Sequence, residues 1–108
     1  MPPNLADFIE HFDKGTYVVS EHAAVRMIQR GIAAFRLEDA IADDRPEIIE
    51  DIPRDSRGPC CIVLGFTHTN QPLHARIGYG QERPILITTY DPRTRPEKWS
   101  DDWKTKHG

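Results

Sequence analysis

The 108-residue sequence predicts an α+β domain, with two to three N-terminal helices packed on a roughly four-stranded antiparallel sheet and a short C-terminal tail. Three observations carry that expectation. Apolar residues recur at helical spacing as far as Asp43. From Pro46 onward the recurrence becomes that of strands. Short turn signals separate those strands, which suits hairpins rather than long crossovers. The length fits one domain over residues 1–108, with a core from about residue 5 to 103.

Each element has its own local reason. Asn4 can cap a helix from Leu5 to Asp13, with Leu5, Phe8, Ile9 and Phe12 on one face and Lys14-Gly15 ending it. Thr16 to Val19 is a short β-branched run, read as a strand or an extended connector. Ser20 caps the second helix and Gly31 stops it. Its apolar side is read as Val25, Ile28 and Ile32, with Ala24 and Met27 beside them. A third helix runs from Leu37 to Asp43, with Leu37, Ala40 and Ile41 inward, and Pro46 closes the helical pattern. The predicted strands are Ile48–Ile52, Cys60–Thr67, Leu73–Tyr79 and Pro84–Tyr90. The second is almost continuously apolar, which places it centrally. Trp99 and Trp103, four residues apart in a polar tail, predict a short helical turn docked on the body.

Composition narrows the function classes. Net charge is -3, so a broad electrostatic surface for nucleic acid is not expected. Eight acids and two arginines lie between Glu38 and Asp55, whereas six bases and three acids lie from Arg57 to Lys98. Ten of the fourteen basic residues are arginine, the side chain that holds phosphate or carboxylate by paired, oriented hydrogen bonds. Any anion site is therefore local and geometric. Cys60 and Cys61 are adjacent, point to opposite faces of a strand and are poorly placed to bridge each other. There is no CxxC or HExxH spacing and no glycine-rich phosphate loop after a strand, so neither a metal nor a cofactor is expected. No apolar run approaches membrane-spanning length, and no basic segment followed by an apolar stretch opens the chain. These features predict a cytoplasmic protein.

The densest chemistry is the helix beginning at Ser20. His22, Arg26 and Arg30 stack along one face of it. The first turn of a helix favours a bound anion. Arg26 and Arg30 are like charges at i, i+4, a pairing that Glu21, Asp55 or a substrate phosphate would relieve. The same stripe also suits a plain solvated face. In the third strand His74 and Arg76 point together, and in the fourth Leu86, Thr88 and Tyr90 share a face. A suitable register would bring His74, Arg76, Thr88 and Tyr90 onto one side of the sheet.

The order of short motifs adds a resemblance. Ser-x-His-Ala-x-x-Arg-Met-x-x-Arg-Gly-Ile stands at Ser20 to Ile32, and Pro-Glu-Ile-Ile-Glu at Pro46 to Glu50. Leu64-Gly65, Leu73-His74, the run from Ile87 to Pro92 and Lys98-Trp99 follow. In this order the chain resembles the bacterial domain-of-unknown-function 4258 family, itself similar to the barnase–EndoU–colicin–RelE group of metal-independent ribonuclease toxins. The resemblance implies two helices on a four-stranded antiparallel sheet. It further implies a cytoplasmic endoribonuclease toxin, with RNA (including ribosome-associated mRNA) as substrate. Its partner would be a cognate antitoxin of zinc-finger or helix-turn-helix type. The family's recurrent positions fall on His22, Arg26, Arg30, His74, Thr88 and Tyr90.

The chemistry expected is attack of an RNA 2′-hydroxyl on its own phosphate. His22 and His74 serve as base and acid, and Tyr90 as a further catalytic group. Arg26, Arg30, Arg76 and Thr88 hold or orient the phosphate. The alternative is a non-enzymatic protein-binding module that uses the arginine-rich helix face. A third reading is an acid–base enzyme acting on a small anionic metabolite.

Overall fold

Capping side chains set the helix boundaries. In the computed structural model, which describes residues 2–107, α1 spans Leu5–Lys14. The Asn4 side chain accepts from the Asp7 amide, and Gly15 ends the helix in the left-handed conformation at φ 69°. Helix α2, Glu21–Arg30, is capped by Ser20 accepting from the Ala23 amide and stopped by Gly31 at φ 65°. Only a residue without Cβ adopts this φ at no cost, so both stops are glycine. Helix α3 is Ala34–Ile41, starting three residues before the expected Leu37 and lacking a side-chain cap.

Five strands follow the order β1-β5-β4-β3-β2. They are β1 (Val18–Val19), β2 (Glu47–Ile52), β3 (Cys60–Phe66), β4 (Pro72–Gly78) and β5 (Ile85–Tyr90). The expected four-stranded antiparallel sheet is corrected on one point. The two-residue β1 pairs parallel with Ile85 and Leu86, so the sheet is five-stranded and mixed. Its other three pairings are antiparallel.

One sheet face carries the core. Cys61, Val63, Leu73, Ala75, Ile77 and Leu86 pack there against Phe8, Phe12, Ala23, Met27, Leu37, Ala40 and Ile41 of the helices. At Gly65 the α3 backbone comes so close that a Cβ would lie 2.4 Å from the carbonyl oxygen of Ala40. Backbone cannot yield as a flexible side-chain tip does. Gly65→Ala is therefore expected to destabilise the protein by about 1–3 kcal/mol, read as a lowered urea midpoint at unchanged m-value.

A one-residue bulge in β5 decides what the other face displays. Ile77 pairs with Leu86 but Arg76 pairs with Thr88, leaving Ile87 as the extra residue. Leu86 therefore points into the core, and Thr88 and Tyr90 point away from it, alongside Arg76 and His74. The predicted company of His74, Arg76, Thr88 and Tyr90 is present; the expected common face of Leu86 with Thr88 and Tyr90 is not.

The orientation of α2 also differs from expectation. Ala23 and Met27 are its buried residues, whereas Val25 and Ile28 are 50% and 82% exposed. The reason lies at the edge of β5, which β1 covers only at Ile85 and Leu86. Beyond them α2 satisfies the strand. The Ser20 amide donates to the Leu86 carbonyl, the Ser20 hydroxyl to the Ile87 carbonyl at 3.3 Å, and Arg30 to the Thr89 carbonyl at 2.9 Å. Turning Arg30 to the strand turns Val25 and Ile28 outward.

The tail forms two short 3₁₀ turns, Pro92–Thr94 and Pro96–Lys98, and a bridge between Trp99 and Lys106. It is not the helical turn expected from the tryptophan spacing: Trp103 sits at φ 64°. Trp99 instead docks edge-on against His74, ring centroids 4.3 Å apart. Among the described residues no helix is long and apolar enough to cross a membrane.

Candidate functional site

Where the tail meets β5 and the end of α2, a cleft of about 330 Å³ opens. Tyr90 and Trp99 supply aromatic surface, with Arg30, Arg95, Lys98 and Lys106 around them. The rings of Tyr90 and Trp99 lie 30° from parallel with centroids 6.3 Å apart. The Arg30 guanidinium stands over the Tyr90 ring at 6.0 Å while donating to the Thr88 hydroxyl and the Thr89 carbonyl.

The charge balance of the cleft is positive although the protein is acidic. Its one carboxylate, Asp91, is bound by Arg93 at 2.7 Å and by Arg36 at 3.3 Å. Burial alone would raise the Asp91 carboxyl; the hydrogen bonds from Arg93 and the charges of Arg93 and Arg36 outweigh it and hold the group below its usual range. Asp91 thus stays ionised and already matched. Among the described residues, Arg30, Arg95, Lys98 and Lys106 have no carboxylate within ion-pair distance. Most of the other arginines do: Arg36, Arg45, Arg57, Arg76 and Arg93 are all paired. Four uncompensated cations beside two aromatic rings form a surface suited to a phosphate with an attached base.

Behind Tyr90 lies His74, fully buried. Its Nε2 is 2.8 Å from the Trp103 carbonyl and its Nδ1 is 3.2 Å from the Tyr90 hydroxyl. A carbonyl can only accept, so Nε2 carries the proton. In the neutral ring Nδ1 is then the acceptor and the Tyr90 hydroxyl donates to it. Burial pushes the imidazole down to about 4, against the opposing pull of the Trp103 carbonyl and the Asp91 charge. Burial, with the charge of Glu50, pushes the Tyr90 phenol up to about 12. At neutral pH the proton therefore rests on the phenol.

The structure brings together part of the predicted set. Arg30 and Tyr90 line the cleft, Thr88 accepts from Arg30 at 3.2 Å beside it, and His74 lies directly behind Tyr90. Three residues lie elsewhere. His22 and Arg26 flank a shallow hollow with Glu21, Val25 and Gln29, and Arg26 donates to Gln29 at 2.9 Å. Arg76 is bound to Asp55 at 2.8 Å and to Cys60 Sγ at 3.3 Å. The expected pairing of His22 and His74 on one phosphate does not occur, because His74 is buried with both ring nitrogens engaged and His22 is outside the cleft. Sequence reasoning missed Arg95, Lys98 and Lys106; the basic character of the region after Arg57 was the available signal. Among the described residues no group of three or more metal-ligating side chains converges.

A family model described as a domain of unknown function, DUF4258, matches residues 19–91. Arg30, His74, Thr88, Tyr90 and Asp91 lie within the match; Arg95, Lys98, Trp99 and Lys106 lie beyond it. No curated protein and no solved structure matches the chain.

Proposed function

The chain belongs to the DUF4258 family, and we propose that it binds single-stranded RNA in the cleft and cuts it by attack of the 2′-hydroxyl, as a metal-independent endoribonuclease. The observation that carries this reading is the set of four unmatched cations around Tyr90 and Trp99. Such a surface grips a backbone phosphate while the rings take a neighbouring base. The resemblance of the DUF4258 family to the barnase–EndoU–colicin–RelE group of ribonuclease toxins adds support.

In the proposed reaction the 2′-oxygen bonds to phosphorus and the bond to the 5′-oxygen breaks. The 2′ proton passes to the Tyr90 oxygen as the phenol's own proton moves to Nδ1 of His74. The Lys98 ammonium gives a proton to the departing 5′-oxygen. Arg30 and Lys98 stabilise the charge that builds on the phosphorane. His74 here is a positioning residue and proton acceptor that acts through Tyr90. The Trp103 carbonyl and Asp91 favour the imidazolium formed in passing.

The test uses a labelled single-stranded RNA in EDTA. Binding should weaken with salt, at a slope of roughly 2–3 on logarithmic axes for three to four neutralised phosphates. Products should end in a 2′,3′-cyclic phosphate, and a strand with one 2′-deoxy position should bind yet stay uncut there. Absence of salt-dependent binding would overturn the reading.

A protein-binding reading has its own observation. Val25, beside His22 and Arg26, and Ile28 on the same helix are exposed apolar side chains. This face lies apart from the cleft, so an inhibitory protein partner could hold it while RNA occupies the other.

A further inference from the structure

A second hollow, of about 200 Å³, lies on the same sheet face as Tyr90, floored by Gly78, Ile85 and Ile87 and walled by Arg76, Cys60 and Gln81. We infer that it receives a nucleobase of the strand whose phosphate lies in the cleft; this rests on the RNA reading above.

The glycine is the first argument. Glycine weakens a strand interior and usually marks a bulge, a bend or a close approach. At Gly78 the atoms nearest to a Cβ would be the Ile87 Cδ1 at 3.4 Å, the Ile85 Cβ at 3.7 Å and the Ile85 carbonyl oxygen at 3.8 Å, all ordinary contacts, and no left-handed φ requires glycine there. Neither backbone nor packing explains it. The missing side chain keeps the floor of the hollow low, since a larger residue would rise from it against Ile87.

The chemistry of the walls is the second. Arg76 and Arg57 share the one carboxylate of the hollow, Asp55, so neither guanidinium is free of an ion pair. The Arg76 guanidinium is held at two points, by Asp55 and by Cys60 Sγ, and forms a fixed planar partner for a flat ring. The exposed Gln81 amide offers both a donor and an acceptor to a base edge. The volume falls below the roughly 300–1,000 Å³ typical of drug-sized ligands, and suits one heteroaromatic ring system rather than a whole nucleotide.

Position is the third. Ile87 lines the hollow and Tyr90 lines the cleft, three residues apart on β5, which is about 10 Å along a strand. Gly78 pairs with Ile85, five residues from Tyr90, so a strand with one phosphate at Arg30 reaches the hollow with the base of a nearby nucleotide.

The test separates this inference from the cleft reading by using uncharged ligands. The ¹⁵N-labelled protein is titrated with each of the four nucleosides, then with a single-stranded RNA hexamer. At least one nucleoside should shift the amides of Cys60, Gly78, Ile85 and Ile87 at millimolar concentration. Gly78→Val should weaken that response at least tenfold while hexamer binding keeps its salt dependence. Gly78→Ala serves if the valine variant does not fold. No nucleoside response at these amides, or an unchanged one in a folded Gly78 variant, overturns the inference whatever the hexamer does. A nucleoside response without hexamer binding upholds the hollow as a base site and overturns the cleft.

Discussion

Replacing Arg30 and Lys98 together by alanine is expected to lower the rate of RNA cleavage by about 100-fold or more. Groups that stabilise charge in a transition state are typically worth about 100- to 1,000-fold each. Here two of the cleft's four unmatched cations would be removed. The salt slope of RNA binding should fall by roughly one, because fewer phosphate charges are neutralised. Arg30 also donates to the Thr89 carbonyl, so its removal lowers stability as well as emptying the cleft of a cation. Lys98 is exposed, and its side chain makes no ion pair with a described residue. The single Lys98→Ala variant should therefore retain the parent melting temperature while losing activity. A cleavage time course beside a thermal melt reads both quantities. Parent-like cleavage by the double variant would remove the cleft from the mechanism.

The second large effect concerns stability against pH. Burial holds the His74 imidazole down to about 4 in the folded protein, against about 6.5 for an imidazole in water. A depressed value means the unfolded chain binds the proton more readily. The contribution is complete above the unfolded value and is lost as pH falls from about 6.5 towards 4. Its size is the shift times about 1.4 kcal/mol per unit, roughly 3 kcal/mol for a group with no exposed surface. For a domain of this size that is a fall in melting temperature of roughly 12–24 °C. Carboxylates add their own losses at the acid end, so the comparison is with His74→Phe. That variant should begin less stable at neutral pH, having left the Trp103 carbonyl without its donor, and should show a much flatter profile between pH 6.5 and 4.5. Parallel profiles for parent and variant would show that the imidazole is not the titrating group.

Much of the fold was legible because local signals and tertiary packing agree. Asn4, Gly15, Ser20 and Gly31 mark helix ends through backbone chemistry that needs no knowledge of neighbours. The change of period after Pro46 places the four longer strands nearly to the residue. The failures share a cause in long-range context. Strand β1 is two residues long and exists only because Ile85 and Leu86 lie beside it. In α2 apolar residues occur on two sides, and the edge of β5, not the helix, decides which side turns in.

The site divides in the same way. Arg30, Thr88 and Tyr90 were legible because strand alternation and helical spacing report on side-chain direction. Alternation alone put Leu86 with Thr88, and the bulge at Ile87 reverses that. Of the tail cations, Lys98 ends a 3₁₀ turn, Arg95 joins the two turns and Lys106 lies in an isolated bridge, so no period announces that they converge with Arg30. His74 illustrates a deeper gap: a histidine on the polar side of a sheet reads as accessible until the covering segment is known, and here Trp99 covers it.

The hydrogen bonds from Ser20 and Arg30 to the β5 carbonyls carry one more consequence. An uncovered strand margin is a template for another molecule to add to, and proteins suppress such growth by blocking the margin. The arginine that would grip substrate is also the plug in that margin. Damage at this residue would therefore favour self-association by strand addition, so that a change in the cleft and a loss of protein from solution would tend to arrive together.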